Sequence, residues 1–353
     1  MHKATLVVGL AIVLTACAAA AAGPVRVALD GPPSAIAGRA WTAQLTVRPT
    51  SFRGSIRLVG TGPGRVAVWA IRSRGSYRVR LVFPSSGRWT LTARAGGSVS
   101  LVGIVTVRKP PLTFAWPTSV EVESDGALLV VENGRRRVLR VNPATGRVTV
   151  LAEGLENPFA AVRAQSGAIF ATGGRTLRRL DPSGMLHEVA TASEDIGPLT
   201  LSPDGDVVYT SSTRLFLLPA GGGAPRVLAT GLNSAHGVAV APDGTVLVSD
   251  TSNNRVLRVD PRTGATSTVV ETGEPRGLAV AADGTFALVE AGSKRVGRFD
   301  PAGRRLARVG PSFSDPYDVA IDDDGTTYVV DTAAAGRIVR VTADGRAQTI
   351  PTG

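Results

Sequence analysis

A chain of 353 residues, 43% of them apolar, is long for one compact domain and rich enough for ordinary cores. Its single cysteine, Cys17, excludes an intramolecular disulfide, so an exported fold must rest on sheet packing alone. The formal charge of +11 comes mainly from arginine, since Lys3, Lys109 and Lys294 are the only lysines. The arginines recur at fixed places along the chain instead of forming one run, which argues against a nucleic-acid partner. They read as arginine-rich composition, helped by attraction to anionic wall polymers or lipid head groups.

In chain order, Lys3 precedes an apolar run from Ala4 to Leu14 that is too short to span a bilayer as a permanent helix. Residues 1–23 therefore read as a signal segment and the rest as extracytoplasmic. The run ends in Leu14-Thr15-Ala16-Cys17, which resembles the lipobox of bacterial lipoproteins. That resemblance implies lipidation of Cys17 and anchoring to the outer face of the cytoplasmic membrane, the lipid being the only membrane contact. The alternative is an ordinary signal peptide cut within Ala18 to Ala22.

Residues 24–108 alternate apolar and polar residues over seven short stretches: Val25 to Leu29, Trp41 to Val47, Ile56 to Val59, Val66 to Ile71, Tyr77 to Phe83, Trp89 to Ala93 and Val99 to Val107. Seven strands in so short a segment predict an immunoglobulin-like sandwich, with Trp41, Trp69 and Trp89 as core bulk. Residues 109–113 form a stiff linker around Pro110 and Pro111, which cannot continue a hydrogen-bond ladder.

From residue 114 to residue 353 a different pattern sets in. Gly126, Gly167, Gly205, Gly244, Gly284 and Gly325 each sit in a turn between two apolar stretches, at steps of 41, 38, 39, 40 and 41 residues. In most copies an acid and then an arginine follow, and the third stretch ends at Asn142, Asp181, Asp260 or Asp300, each before proline. A strand-built period near forty predicts a propeller, here with six blades, so the chain is all-β throughout. Asp250-Thr-Ser-Asn-Asn-Arg255-Val resembles the NHL-repeat signature, and the segments from Glu132, Glu290 and Asp331 resemble it with substitutions. Gly173 and Ser211 replace the acid in blades two and three. The final stretch to Ile350 can supply its own outer strand, or the ring can close on a strand from Leu112 to Phe114. The resemblance extends to the wider group of gluconolactonase-like, streptogramin-lyase and amidating-lyase propellers.

Eight residues before each turn glycine stands the position that should face the axial mouth: Thr118, Phe159, Gly197, His236, Arg276 and Tyr317, with Asp318 adjacent. A histidine, a cation and a phenol from consecutive blades suit an anionic or carbonyl-bearing ligand, and His236 can serve as a general base. His187 falls in an outer strand and reads as exposed and inert. The acids Glu132, Asp250, Glu290 and Asp331 read as scaffold, tying loops to strands through charge-assisted hydrogen bonds.

The resemblance implies metal or zinc sites in the enzyme relatives, but the matching positions here do not supply them. Blade one lacks the glutamate of gluconolactonase-like propellers, and His236 and Tyr317 stand where an asparagine and the aspartate belong. One histidine at a repeat position falls short of the amidating-lyase zinc set. Ala235-His236-Gly237-Val238 is similar to the histidine segment of streptogramin lyases, without an identifiable acidic partner. The expected function is binding of a small molecule, glycan or protein at the mouth, with no cofactor assigned and a divalent metal as the one candidate, its expected ligands being missing. The alternative is a lactone hydrolase or lyase using His236, Arg276 and Tyr317.

Overall fold

The computed structural model describes residues 13–14, 25–48, 52–73, 76–95, 98–108, 113–333 and 336–351. Cys17, the remaining signal residues and linker residues 109–112 lie outside them. The chain divides into two compact units, Met1–Pro110 and Pro111–Gly353.

The first unit is two five-stranded sheets. One orders Val13–Leu14, Val25–Asp30, Ala40–Arg48, Ser76–Val82 and Ile71–Ser73; the other orders Ser34–Ile36, Ser98–Arg108, Gly87–Ala95, Ile56–Thr61 and Arg65–Trp69. Strict alternation, as in Ala40–Arg48, places every second side chain in one core shared by both sheets. Trp41, Phe83 and Trp89 run through it with ring centroids 5.8 and 5.2 Å apart. The buried ring nitrogens donate to backbone carbonyls, Trp89 Nε1 to Ser85 at 3.1 Å and Trp41 Nε1 to Pro32 at 3.1 Å.

Two expectations need correction. The stretch Val66 to Ile71 is not one strand: Arg65–Trp69 belongs to one sheet and Ile71–Ser73 to the other, the chain crossing between them at Ala70. Trp69 is not core but 60% exposed, because it pairs with Arg57, whose side chain points outward from the neighbouring strand.

The second unit is six four-stranded antiparallel sheets, each in simple sequential order. The innermost strands are Pro117–Val122, Pro158–Arg163, Ile196–Leu201, Ala235–Val240, Pro275–Val280 and Pro316–Ile321. All six turn glycines have φ between 77° and 86°, the left-handed region a side chain would penalise. Second strands such as Leu128–Glu132 and Val246–Asp250 are buried along their whole length, since neighbouring blades cover both faces. Blades are also stitched by polar groups: Thr172 Oγ1 donates to the Gly197 carbonyl at 2.7 Å and Thr251 Oγ1 to the Pro275 carbonyl at 2.6 Å. The sixth blade supplies its own outer strand, Ala347–Thr349, and Phe114 contributes a single bridge to Gly336. First and last blades share one core containing Phe114, Val120, Val130, Val330, Ile338 and Ile350.

Candidate functional site

The six aligned positions are each the second residue of an innermost strand. Phe159, His236 and Tyr317, from blades two, four and six, meet at the axis as a triangle of rings. Their centroids lie 5.9 Å apart for Phe159 and His236, 6.0 Å for Phe159 and Tyr317, and 5.9 Å for His236 and Tyr317. The Arg276 guanidinium stacks 5.3 Å above the Tyr317 ring, and its Nη1 donates to Asp315 Oδ1 at 3.0 Å. His236, Arg276 and Tyr317 share a cavity of about 450 Å³ with Ser234, Thr251, Ser252, Asn254 and Glu274.

Two expected members do not join this group. Thr118 is buried and donates to the Phe159 carbonyl at 2.7 Å, holding that ring's strand in place. Asp318 lies below the ring triangle, lining the axial channel, where its Oδ2 accepts from the Val120 amide at 3.0 Å.

The electrostatics separate the roles. Burial, with the nearby Arg276 charge, lowers the His236 pKa, so its imidazole is neutral at pH 7. Its Nδ1 lies 2.8 Å from the Ser234 carbonyl, an acceptor, which assigns the proton to Nδ1 and leaves Nε2 as the basic nitrogen. Burial pushes the Tyr317 hydroxyl up to about 12, keeping it a proton donor.

Below the rings, a channel of about 250 Å³ is walled by the innermost strands. Two carboxyls face it, Asp318 and Glu121, and burial raises each to about 7, with Asp318 adding repulsion at Glu121. Glu121 is solvent-exposed along the channel wall although protein crowds it, so water in the channel screens part of the desolvation that raises it. It also borders a larger cavity of about 840 Å³ on the opposite face, between blades two and three, where exposed His187 lies. Among the described residues no group of three or more His, Cys, Asp or Glu side chains is placed to hold a metal ion. That donor set does not fit the metal sites that the sequence resemblance implies.

Sequence reasoning missed Glu121 and the rim. Five residues before the turn glycines, the other blades carry Val162, Thr200, Ala239, Ala279 and Ala320; the singular acid was the signal. Ten residues before them stand Trp116, Asn157, Asp195, Ser234, Glu274 and Asp315. Four of these, Trp116, Asn157, Ser234 and Glu274, hold positive φ of 40° to 57°, a conformation costly for non-glycine residues and concentrated here at the mouth. Trp116 is 62% exposed on this rim.

The four repeat acids take no part in the mouth. Each is buried at the end of a second strand. Asp250 accepts from the Asn233 amide at 2.7 Å and from Arg255 Nε at 2.8 Å, and Asp331 from the Asp315 amide at 2.8 Å and from Arg337 Nη2 at 2.8 Å. Glu132 binds the Ala115 amide and Arg137, whereas Glu290 is met by Arg305 from the outer strand instead of Arg295.

Fold and repeat together define a six-bladed β-propeller, and an NHL-repeat family model matches residues 232–258, within blade four. A streptogramin B lyase is similar in fold, with 19% identity, coverage of 69% of this chain and 85% of that one, and a TM-score of 0.55. So is a catalytically inactive virginiamycin B lyase from Staphylococcus aureus with quinupristin, at 17% identity, 69% and 87% coverage, and a TM-score of 0.53. A gluconolactonase from Xanthomonas campestris has 20% identity, 64% and 85% coverage, and a TM-score of 0.56. No curated protein matches the sequence.

Proposed function

We propose that the mouth formed by His236, Arg276 and Tyr317 binds a small molecule carrying an anionic or carbonyl oxygen, on an exported, lipid-anchored protein whose N-terminal unit is immunoglobulin-like. The convergence of the three side chains on one cavity carries this reading. Arg276 supplies the positive charge, with Nη1 engaged by Asp315 and its other guanidinium nitrogens without a hydrogen-bond partner among the described residues, and the Tyr317 hydroxyl a directional donor, in a cavity that Glu274 also lines. D-gluconate, an anion with several hydroxyls, is the first probe. It should raise the melting temperature of the wild-type chain, and that shift should vanish in Arg276→Ala while the unliganded melt stays near wild type. Equal shifts in both proteins would remove the mouth as the site.

One observation favours a second, catalytic reading: a neutral His236 with Nε2 unengaged among the described residues, beside a cation and a protonated phenol. In lactone hydrolysis His236 Nε2 would take a proton from the water whose oxygen bonds to the carbonyl carbon, Arg276 would stabilise negative charge on the carbonyl oxygen, and Tyr317 would protonate the ring oxygen as its bond to that carbon breaks, the phenol then regaining the proton held by His236. Hydrolysis of gluconolactone and opening of quinupristin are the assays the structural relatives suggest. Expected is turnover that falls about 100-fold or more in His236→Ala, with an acidic limb lying below the usual histidine range. Absence of turnover of both substrates by the wild type would count against this catalytic reading.

A further inference from the structure

The positive charge is segregated. Residues 24–109 hold thirteen arginines and Lys109 against one acid, Asp30, a balance of +13, whereas residues 110–353 hold 24 basic and 27 acidic side chains, a balance of −3. The arginines of the repeats are thus answered by acids, and the net charge of the molecule belongs to the N-terminal unit. An arginine-rich composition by itself would load both units alike.

The fold gathers part of this excess on one surface. On the sheet built from Ser34–Ile36, Ser98–Arg108, Gly87–Ala95, Ile56–Thr61 and Arg65–Trp69, register places Trp69, Arg57, Arg94 and Val99 in one row across four strands. A second row runs Arg65, Thr61, Thr90 and Ile104, and Arg88 pairs with Thr106. Arg57, Arg65, Arg88, Arg94 and Arg108 are all exposed, none is in an ion pair among the described residues, and the sheet contains no acid. Arg57 stacks 5.6 Å over Trp69 while facing Arg94 directly, a like-charge pair that repels until an anion lies between.

We propose that this outer face docks on an anionic phospholipid bilayer. Arginine forks match phosphate bidentately, and each cation near an anionic membrane surface adds to the attraction. Charge alone would suit any polyanion. Trp69, Val99 and Ile104, at 60%, 52% and 44% exposure within the same rows, gain only from a surface with an apolar layer beneath its phosphates, where tryptophan partitions to the interface. The reading does not depend on the mouth chemistry.

Co-sedimentation of the full chain with phosphatidylcholine vesicles, with and without phosphatidylglycerol, tests it, because a lipid anchor acts alike on both vesicle types. Wild type should prefer the anionic vesicles, with the preference fading as salt rises, and Arg57→Ala/Arg88→Ala/Arg94→Ala should lower it about 100-fold. The corresponding triple lysine variant should retain most of it and controls for folding. Brominated lipid should quench wild-type fluorescence more than that of Trp69→Phe. Equal binding to both vesicle types, no loss in the triple alanine variant, quenching unchanged in Trp69→Phe, or displacement by a short DNA duplex at equal phosphate would each overturn the proposal.

Discussion

At the scale of single residues, the channel carboxyls are the groups most at odds with their surroundings. Asp318 and Glu121 both have folded-state pKa values raised to about 7 from ordinary values near 4, because burial penalises the charged form. Between those limits the folded state holds more protons than the unfolded state, so stability falls as pH rises from about 4 to about 7. Thermal melts should therefore be higher at pH 5 than at pH 8. Asp318→Asn, which keeps an acceptor for the Val120 amide, should flatten that slope, and an unchanged slope would show that the carboxyl does not titrate in this window. The room for Asp318 comes from its neighbour: a Cβ on Gly277 would lie 2.5 Å from Asp318 Cα, so Gly277→Ala should cost about 1–3 kcal/mol by denaturant titration. The mouth residues were legible because the repeat supplies a ruler from each glycine. Asp318 was placed wrongly because spacing gives an address along the strand, while the irregular register between Pro316 and Asp318 turns successive side chains to different levels of the axis.

At the scale of elements, the repeat acid fixes the corner where the second strand ends and the third begins. Asp250→Ala leaves the Asn233 amide and Arg255 without their shared acceptor, and should cost about 2–3 kcal/mol. In blade three the same corner holds Ser211, whose hydroxyl among the described residues accepts only from the Arg214 amide at 3.2 Å, so Ser211→Ala should cost less than about 1 kcal/mol. Similar losses in the two variants, read by urea denaturation, would mean that the acid does not fix the corner. Blade five shows where the sequence pattern misleads. Arg295 occupies the signature place, but Arg305, lying 4.7 Å from the Phe299 ring, reaches Glu290 from the outer strand. A pattern of residue types does not say which of two nearby guanidiniums arrives first. In the N-terminal unit alternation located the strands well, yet it could not tell that Trp69 faces outward, since a strand's two faces are assigned only by what pairs with it.

At the scale of the whole molecule, a closed ring depends on the seam between its first and last blades. Ile338 is fully buried in the core those blades share, so Ile338→Ala should cost about 2–5 kcal/mol. Amide exchange should quicken in blades one and six together; quickening confined to blade six would show that the seam is not a cooperative unit. The charge segregation also belongs to this scale, and it was overlooked when the arginines were read one repeat at a time.

The sequence by itself determined the number of blades, the turn glycines and the one equivalent position at the start of each innermost strand, because local turn chemistry and strand period are written in neighbouring residues. Only the tertiary structure decided that His236, Tyr317 and Phe159 touch while Thr118 and Asp318 turn away, that Glu121 enters the channel, and that five arginines share a face with Trp69. Those are relations between residues as many as 198 positions apart, as in the bond between Val120 and Asp318, and they arise only when closure of the ring and pairing of the sheets bring distant strands to one axis or one surface.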